Sequence, residues 1–464
     1  MGATDTQIRR SPLMGLAEAA RAAGGELRGA AVDIAGVAID SRGVAAGDLF
    51  VAIPGPRFDG HDFVAEAAHR GAAAAITSRP VATDPPLPQV LVADTRLALG
   101  RLAAHWRGRF VLPLVALTGS NGKTTTKEML AAILAAHCGG RGAVLATEGN
   151  LNNDIGVPLT LMRLRERHRY AVVEMGMNHL GEIDYLTRMA QPTVAIVLNA
   201  HRAHVGLLGS LEAVAQAKGE VYGGLGPAGI ALVNADDAFA AYWRNLNAGR
   251  RVLGFGTAEG ADVRGTLAGA QLRIVTPGDA FAVTLQLAGE HNARNAIAAC
   301  AAAHALEIPP HAIQAGLAAF AGVPGRLERR AGPGGITVID DSYNANPESM
   351  KAALRVLAQS AGPTLFVMGD MGELGEAAAS LHAEVGAFAR GLGIGGLLAL
   401  GPASLHAAEA FGEGAAHFAD PEALVAAARE RLEHGSTVLV KGSRFMRMER
   451  VVARLAPGGE HHAA

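Results

Sequence analysis

Cysteine and aromatic residues are scarce in this sequence. Of its 464 residues only two are cysteine, Cys138 and Cys300, and neither has a second cysteine or a histidine at metal-site spacing. We therefore expect neither a disulfide framework nor a zinc site, as in a protein of the reducing cytoplasm. Phe, Trp and Tyr make up 4% of the chain, whereas half of it is hydrophobic, much of that alanine and glycine. Such a composition predicts an α/β protein.

An excess of charge and a long apolar run are also missing. Lys and Arg total 41 against 43 Asp and Glu, which gives a net charge of −2 and no overall bias toward nucleic acid or an anionic membrane. Any anion-binding site must be local. The first thirty residues lack the apolar core of a signal peptide, and no strongly apolar stretch reaches the ~18 residues of a membrane span. We expect an unprocessed cytoplasmic protein with no transmembrane segment and no nucleic-acid partner.

The length predicts about three domains, and the pattern of apolar runs divides the chain at two places. Residues 1–112 read as a small α/β domain. Residues 113–328 begin with an apolar strand that enters a glycine-containing turn, and a doubly wound parallel sheet is expected there. Alternating residues at 250–290 predict antiparallel strands, including VLGFGT, as an appendage to this domain. The segment GVPGRLERRAGPGG reads as a linker, and four further strand-like runs predict a third α/β domain over 329–464.

A phosphate-binding loop is the sharpest local signal. The sequence TGSNGKTTT follows an apolar strand and opens a helix, so backbone N–H groups can approach phosphate oxygens at the helix N-terminus. Lys123 can reach the terminal phosphates and Thr124 can bind Mg²⁺. Leu117 stands where the strict motif has its first glycine, so the loop is a shortened variant. The predicted loop residues are Thr118, Gly119, Ser120, Asn121, Gly122, Lys123, Thr124 and Thr125.

Polar residues follow the next apolar strands. Glu174 follows YAVV, and His204 lies shortly after TVAIVLNA. Ligands of doubly wound sheets lie outside the carboxyl ends of the strands, so both side chains can face the loop and help to hold Mg²⁺. Solvation of strand ends is the alternative, and spacing alone does not choose between His204 and His201.

Asparagine-rich segments and the polar strand ends of the last domain supply the remaining candidate ligand-binding residues. Asn292 and Asn295 stand three apart on one helical face, where amides can pair with a base edge. The segment TEGNLNNDIGVP supplies three asparagines, for which capping of turns is the alternative. Three strand ends of the last domain carry polar clusters, which predict a ligand face: Asp340, Asp341, Tyr343, Asn344 and Asn346, then Asp370 and Glu373, then Lys441, Ser443 and Arg444.

Taken together, these stretches resemble the Mur ligase family of ATP-dependent amide-forming enzymes of peptidoglycan assembly. TGSNGKTTTKEM, GNLNNDIGVP, EMGMNHLGEID, AKGE, HNARNA, GRLE, DDSYNANP, GDMGELG and VKGSR occur in the family's order over nearly the whole chain. The combination is most similar to the member that adds D-alanyl-D-alanine to a UDP-N-acetylmuramoyl tripeptide. The resemblance implies those two substrates, ATP and Mg²⁺ as cofactors, an acyl-phosphate intermediate, and closure of three domains about the linker. A monomer is expected.

The resemblance also implies roles for residues. The UDP-substrate would be bound by Asp40, Ser41, Arg42, Arg57, Phe58, Asp59, Gly60, His61, Asn150, Asn152 and Asn153. Asn292, Asn295 and Arg326 would contact the nucleotide with the loop residues. Lys123, Glu174, His204 and Lys218 would be catalytic, with Thr124, Glu174, His204 and a carbamylated Lys218 as metal ligands. The amine substrate would contact Asp341, Tyr343, Asn344, Asn346, Lys441 and Arg444.

One position departs from the family, and two other interpretations remain. Relatives usually carry an acidic residue two positions after the histidine, where this chain has Gly206. A ligase acting at another step of the superfamily, such as the folyl-polyglutamate enzyme, is one alternative. A nucleotide-binding switch that performs no ligation is the other.

Overall fold

Three large β-sheets follow one another along residues 11–457, which are the part of the chain that the computed structural model describes. Helices lie between the strands, so the predicted α/β class is confirmed. Residues 1–10 and 458–464, the outer ends of the first and third predicted domains, lie outside the described range. No helix within residues 11–457 is both long and apolar enough to cross a membrane.

The first unit carries a five-stranded sheet in the order β2-β7-β6-β5-β4 and a small pair, β1 with β3. Strands β4 to β7 run parallel, and β2 is antiparallel to β7. The strands are β1 (Met14–Gly15), β2 (Glu26–Arg28), β3 (Asp33–Ile34), β4 (Gly36–Ala38), β5 (Asp48–Val51), β6 (Ala74–Thr77) and β7 (Gln89–Leu91). The helices are α1 (Leu16–Ala23), α2 (Val64–His69) and α3 (Thr95–Arg107).

The central unit is built on a nine-stranded sheet in the order β16-β15-β14-β13-β12-β11-β8-β10-β9. Its strands are β8 (Leu114–Thr118), β9 (Val144–Ala146), β10 (Tyr170–Glu174), β11 (Val194–Val197), β12 (Ile230–Asn234), β13 (Arg251–Gly256), β14 (Val263–Ala268), β15 (Gln271–Thr276) and β16 (Asp279–Thr284). Its helices are α4 (Lys123–Cys138), α5 (Gly156–Leu161), α6 (Glu182–Ala190), α7 (Val205–Leu208), α8 (Leu211–Gly219), α9 (Ala240–Leu246), α10 (Glu290–Ala305) and α11 (Pro310–Ala319).

Strand β8 and helix α4 have the sequence features that their conformations require. All five residues of β8 are buried, as in a parallel strand covered on both faces. The helix begins after Gly122, which has a left-handed φ of 83°, and ends at Gly139, whose left-handed conformation is typical of a helix C-terminus. These local sequence features place the phosphate loop at the carboxyl edge of the sheet.

Two details of the antiparallel prediction for 250–290 are wrong. The run VLGFGT lies in β13, which pairs in parallel with β12 and with β14; the antiparallel order begins only between β14 and β15. The hairpin strands are no appendage either, because Leu272 and Ile274 share one apolar core with Ile133 of α4 and Ile297 of α10. They extend the central sheet and cover its helices.

The third unit has a six-stranded sheet in the order β17-β18-β22-β19-β20-β21, parallel except for β17. Its strands are β17 (Glu328–Ala331), β18 (Thr337–Asp341), β19 (Thr364–Gly369), β20 (Gly396–Leu400), β21 (Ala415–Phe418) and β22 (Thr437–Lys441). Its helices are α12 (Pro347–Ala358), α13 (Ala378–Gly391), α14 (Leu405–Phe411), α15 (Pro421–Arg431) and α16 (Glu449–Leu455). Strand β17 lies inside the predicted linker, and the predicted division after residue 328 falls one residue into it.

The first two units are joined by an apolar core, whereas the third meets them through polar groups. Leu99 and Leu102 of α3 pack in the same core as Val173 and Ile183 of the central unit. The two apolar clusters of the third unit instead consist of residues from 327 onward. Ion pairs and amide contacts connect it to the central sheet, described below. Interfaces of this polar kind permit relative movement of domains.

Candidate active site

The phosphate loop is closed by contacts with the end of β11. Backbone N–H groups of Ser120 and Asn121 donate to the carbonyl and the side-chain oxygen of Asn199, at 3.1 and 2.9 Å. A Cβ atom on Gly122 would collide with the amide of Asn295, so α10 approaches the loop closely at this glycine. The Lys123 Nζ donates to the Gly119 carbonyl at 2.8 Å, which folds the lysine back over the loop. Burial lowers the pKa of this ammonium group.

A carboxylate stands beside the first residue of α4 that could bind a metal. The Thr124 hydroxyl donates to Glu174 Oε2 at 3.0 Å, and Asn152 donates its amide to Glu174 Oε1 at 2.8 Å. Arg326 donates to Thr124 Oγ1 at 2.9 Å. Glu174 ends β10, the strand next to β8, and is 2% exposed. The predicted pair Thr124 and Glu174 therefore does meet at the sheet edge, with Asn152 and Arg326 around it.

Lys218 of α8 is fully buried, and its Nζ has no hydrogen-bond partner. Burial, reinforced by the positive charge of Lys123, lowers the pKa of its ammonium group well below the ordinary value. A buried amine is stable only when it is neutral, paired or chemically changed. Burial without a partner favours the neutral form of this amine.

His204 lies at the start of α7 and faces the third unit. Its Nδ1 is 2.6 Å from Glu373 Oε2. This contact holds the pKa of the Glu373 carboxyl below its ordinary value, and the charges of Lys123 and Lys218 act in the same direction. The alternative, His201, lies on the loop side: its Nδ1 is 3.3 Å from Asn121 Nδ2, and its backbone N–H donates to Ser120 Oγ.

A cavity of about 370 Å³ opens between α10, the phosphate loop and the third unit. Lys441 lies on its wall, 2.6 Å from Asp341 Oδ2. The cavity combines amides and charges of both signs, a lining that suits a polar nucleotide. Predicted residues in its wall are Asn121, Gly122, Thr125, Asn292, Asn295, Arg326, Asp341, Asn344, Asn346 and Lys441.

Known families and proteins are similar to this chain over nearly all of these elements. Family models described as "Mur ligase family, catalytic domain", "Mur ligase middle domain" and "Mur ligase, glutamate ligase domain" match residues 33–107, 117–303 and 325–444. The UDP-N-acetylmuramoyl-tripeptide--D-alanyl-D-alanine ligase of Escherichia coli (strain K12) is 43% identical over 443 residues, which cover 94% of this chain and 96% of that protein. The chain belongs to the Mur ligase family.

Other Mur ligases support the same membership. The Bacillus subtilis (strain 168) enzyme of the same name is 35% identical over 88% of this chain and 90% of its own length. A crystal structure of MurF from Acinetobacter baumannii has a TM-score of 0.88 and 38% identity, covering 96% of this chain and 99% of that one. MurF from Thermotoga maritima in complex with ADP has a TM-score of 0.78 and 29% identity, covering 90% and 96%.

In this Mur ligase eight of the residues predicted to bind the UDP-substrate, those within 40–42 and 57–61, occupy two segments of the first unit. Asp40 pairs with Arg42 at 2.6 Å. Asp59 accepts from the His61 backbone at 3.0 Å and lies 2.6 Å from the His61 Nδ1. Phe58 is 70% exposed, which leaves an aromatic face free beside these charges. The remaining predicted residues of these segments are Ser41, whose hydroxyl donates to Glu66, with Arg57 and Gly60.

The three asparagines of the segment TEGNLNNDIGVP in this Mur ligase have different contacts. Asn153 Oδ1 accepts from the backbone N–H groups of Ile155 and Gly156, at 3.2 and 2.9 Å, in the turn that leads into α5. Asn152 instead contacts Glu174, and Asn150 is exposed. One of the three asparagines therefore lies against the carboxylate next to the phosphate loop.

Tyr343 of the third unit lies between two arginines. The Arg326 guanidinium is 4.3 Å from its ring centroid, and that of Arg444 is 5.8 Å away. Arg444 also pairs with Glu449 at 3.0 Å. Since Arg326 reaches Thr124, the stack connects the third unit to the phosphate loop of this Mur ligase.

Sequence reasoning did not single out three polar residues at the site. Asn199 braces the loop, and Arg202 joins the third unit through Glu348 and Glu384. Glu373 was noted only as part of a polar cluster, and its contact with His204 is a tertiary feature. The motif GDMGELG is the signal that could have drawn attention to Glu373.

Proposed function

We propose that this chain is an ATP-dependent ligase that joins D-alanyl-D-alanine to UDP-N-acetylmuramoyl tripeptide in peptidoglycan precursor synthesis. The observation that carries the proposal is the convergence of the phosphate loop, Glu174 and Lys218 next to a cavity between the central and third units. Relatives of that name match 94% and 88% of this chain.

The nucleotide is assigned to the cavity, with its phosphates on the loop. Asn295 touches the loop at Gly122, and Arg326 reaches Thr124, so both contact residues meet the phosphate end. A MurF neighbour was solved in complex with ADP. Lys123 would release the Gly119 carbonyl and donate to the terminal phosphate oxygens, as phosphate-loop lysines do.

The chemistry follows from the inertness of a carboxylate toward amines. The terminal carboxylate oxygen of the tripeptide attacks the γ-phosphorus of ATP, the bond to the β-phosphate oxygen breaks, and an acyl phosphate and ADP form. The dipeptide amine then attacks the acyl carbon, phosphate leaves, and the amine loses a proton. Lys123 stabilises the negative charge that accumulates on the phosphoryl oxygens.

The residues present fit a magnesium ion, which supplies positive charge to phosphate oxygens when it is bound. Thr124 and Glu174 offer a hydroxyl and a carboxylate, the hard oxygen ligands that Mg²⁺ prefers. No group of three or more His, Cys, Asp or Glu side chains is placed to hold a metal within residues 11–457.

A carbamate on Lys218 would add an anionic oxygen pair to the same place. The neutral amine attacks CO₂, a nitrogen–carbon bond forms, and a proton is released. Its lowered pKa and lack of a partner support this modification. His204, whose partner Glu373 is acted on by the Lys218 charge, is assigned to the same metal-binding end of the site.

The third unit would present the amine substrate. Asp341, Asn344 and Lys441 form one cluster, in which Lys441 Nζ donates to the Asn344 carbonyl at 2.9 Å. Tyr343, Asn346 and Arg444 lie around it. The cluster lines the same cavity as the nucleotide residues, so both substrates would meet where the central and third units touch.

The decisive experiment is phosphate release by the purified chain with Mg²⁺-ATP and UDP-N-acetylmuramoyl tripeptide, with and without D-alanyl-D-alanine. We expect release that requires the dipeptide, and a nucleotide-sugar product whose mass has increased by one dipeptide residue unit. Release stimulated by a single amino acid would move the protein to another ligation step. Release independent of any amine would support the nucleotide switch instead. A cytoplasmic location, where ATP is supplied, and a monomeric state belong to the same proposal.

A further inference from the structure

Glu373 of the third unit contacts the start of α7 with both its side chain and its backbone. Its Oε2 is 2.6 Å from His204 Nδ1, and its carbonyl accepts from the Gly206 backbone N–H at 3.1 Å. One residue of the third unit therefore fixes two residues of the central unit that follow β11. The charges of Lys123 and Lys218 act on the Glu373 carboxyl, so this contact lies near the phosphate loop and Lys218.

Both partners of this contact have a strained backbone. His204 has a φ of 63° and Glu373 a φ of 62°, in the left-handed region that residues other than glycine avoid. Such a conformation persists where the surrounding structure enforces it, often at functional sites. Here two strained residues contact one another across the boundary between units.

The shape of the boundary depends on glycine at position 206. A Cβ atom there would lie 2.7 Å from the Glu373 carbonyl oxygen and would also collide with the backbone of Gly375. Gly206 lies within α7, and glycine is less favourable than alanine inside a helix. The close approach of the 373–375 loop is what accounts for glycine in this helix.

We propose that Glu373 is a positioning residue that orients the His204 ring for the metal-binding end of the active site when the third unit docks. The role of His204 itself rests on the proposed function. The orientation of its ring, however, is a property of the chain alone and can be measured without substrates. Docking of the third unit and assembly of the site are thereby made one event.

The first test compares Glu373→Ala, Glu373→Gln and the matched control Glu376→Ala, an exposed glutamate three residues further on. In protein labelled with ¹⁵N-histidine, free of ATP and Mg²⁺, the His204 ring resonances are assigned by their loss in His204→Gln. We expect Glu373→Ala to shift these resonances, Glu373→Gln to shift them less because it keeps a side chain of the same size beside the ring, and Glu376→Ala to leave them unchanged. Unchanged His204 resonances in Glu373→Ala would overturn the proposal.

The second test is Gly206→Ala. The alanine improves the helix propensity of α7, but its Cβ atom prevents the close approach of the 373–375 loop. We expect a melting temperature close to that of the parent, the same His204 shift as in Glu373→Ala, and a double variant no worse than either single one. With the ligase assay, kcat falls about 10- to 100-fold, as for other residues that orient a metal-site ligand, while KM for the UDP-substrate is unchanged. A Gly206→Ala protein with parental resonances and kcat would refute the docking role. If the parent chain performs no ligation, the proposed function fails while the resonance tests still decide the positioning role.

Discussion

The side-chain amides of Asn121 and Asn346 pair reciprocally across the boundary between the phosphate loop and the third unit. Asn346 Nδ2 donates to Asn121 Oδ1 at 2.7 Å, and Asn121 Nδ2 donates back to Asn346 Oδ1 at 3.3 Å. The same Asn346 oxygen accepts from the Ser349 backbone at 2.9 Å as the N-cap of α12. One side chain thus begins a helix and holds the loop.

Replacing Asn346 separates these two tasks. Asn346→Ala should lower the free energy of unfolding by about 1 kcal/mol, the usual cost of a lost N-cap, and raise KM for ATP. Asn346→Asp keeps a good capping oxygen but loses the amide donor to Asn121, so it should raise KM with little loss of stability. Urea unfolding and steady-state kinetics measure both quantities. An Asn346→Asp protein with the parental KM for ATP would contradict the role at the loop.

Lys218 should carry a carbamate. After equilibration with ¹³C-bicarbonate, the parent should show a carbamate carbon resonance that Lys218→Ala lacks, and kcat of that variant should fall by about 100-fold or more, as when a preorganised charged group is lost from an active site. Lys127 provides the matched control, since it is also buried but its Nζ is 2.7 Å from Glu128 Oε1. Lys127→Met should keep the resonance. Retention of the signal in Lys218→Ala would place the modification elsewhere.

Arg202 should hold the third unit in its docked position. Its guanidinium donates two bonds to Glu384, both at 2.9 Å, and lies 2.5 Å from Glu348. The pairs are partly exposed, so Arg202→Ala should raise KM for ATP by about fivefold or less. It should also enlarge the radius of gyration of the ATP-bound protein in solution scattering.

A surface pair within one helix is the control for this expectation. Arg188 pairs with Asp184 inside α6 at 2.7 Å, so Arg188→Ala should change neither quantity. Equal scattering profiles for the parent and Arg202→Ala, with and without ATP, would show that the ion pairs do not govern docking.

His168 should make the stability of the central unit depend on pH. Burial, with the charges of neighbouring arginines, lowers its pKa to about 4, and its Nδ1 accepts from the Arg165 backbone N–H at 3.0 Å. The unfolded chain binds the proton at higher pH than the folded one does. Stability from this group is therefore intact above pH 6.5 and is lost as pH falls toward 4, by no more than about 1.4 kcal/mol per pH unit.

Denaturant unfolding between pH 7 and pH 4 measures how steeply the free energy of unfolding depends on pH. The test variant replaces the imidazole of His168 with an amide. His168→Asn can still offer an acceptor to Arg165 but binds no proton, so its slope should be shallower. His311 of α11 is an exposed control, and His311→Asn should keep the parental slope. Identical slopes for the parent and His168→Asn would assign the pH dependence to other groups.

Local sequence patterns anticipated the elements that position the site. The buried run of β8, the left-handed turn at Gly122 and the helix after Lys123 follow from rules that act within about ten residues of the chain. The meeting of Thr124 with Glu174 could be expected because carboxyl ends of neighbouring parallel strands share an edge.

Those local rules could not predict strands at sheet edges or contacts between the units. Strand β17 has the polar sequence ERRA, which reads as linker, and it becomes a strand only because β18 lies beside it. Burial of Lys218 is likewise decided by the packing around α8, and the pairing of His204 with Glu373 by the position of another unit. Such features depend on residues far apart in the chain, which no local periodicity reports.

The apolar core that α3 shares with the central sheet makes the first two units a single cooperative block, while the third unit has cores of its own. Heating should therefore produce two calorimetric transitions, one for each block. A nucleotide in the cavity between them would touch both, and a ligand that binds only the assembled state stabilises it in proportion to the logarithm of its concentration. Saturating ATP should bring the two transitions together.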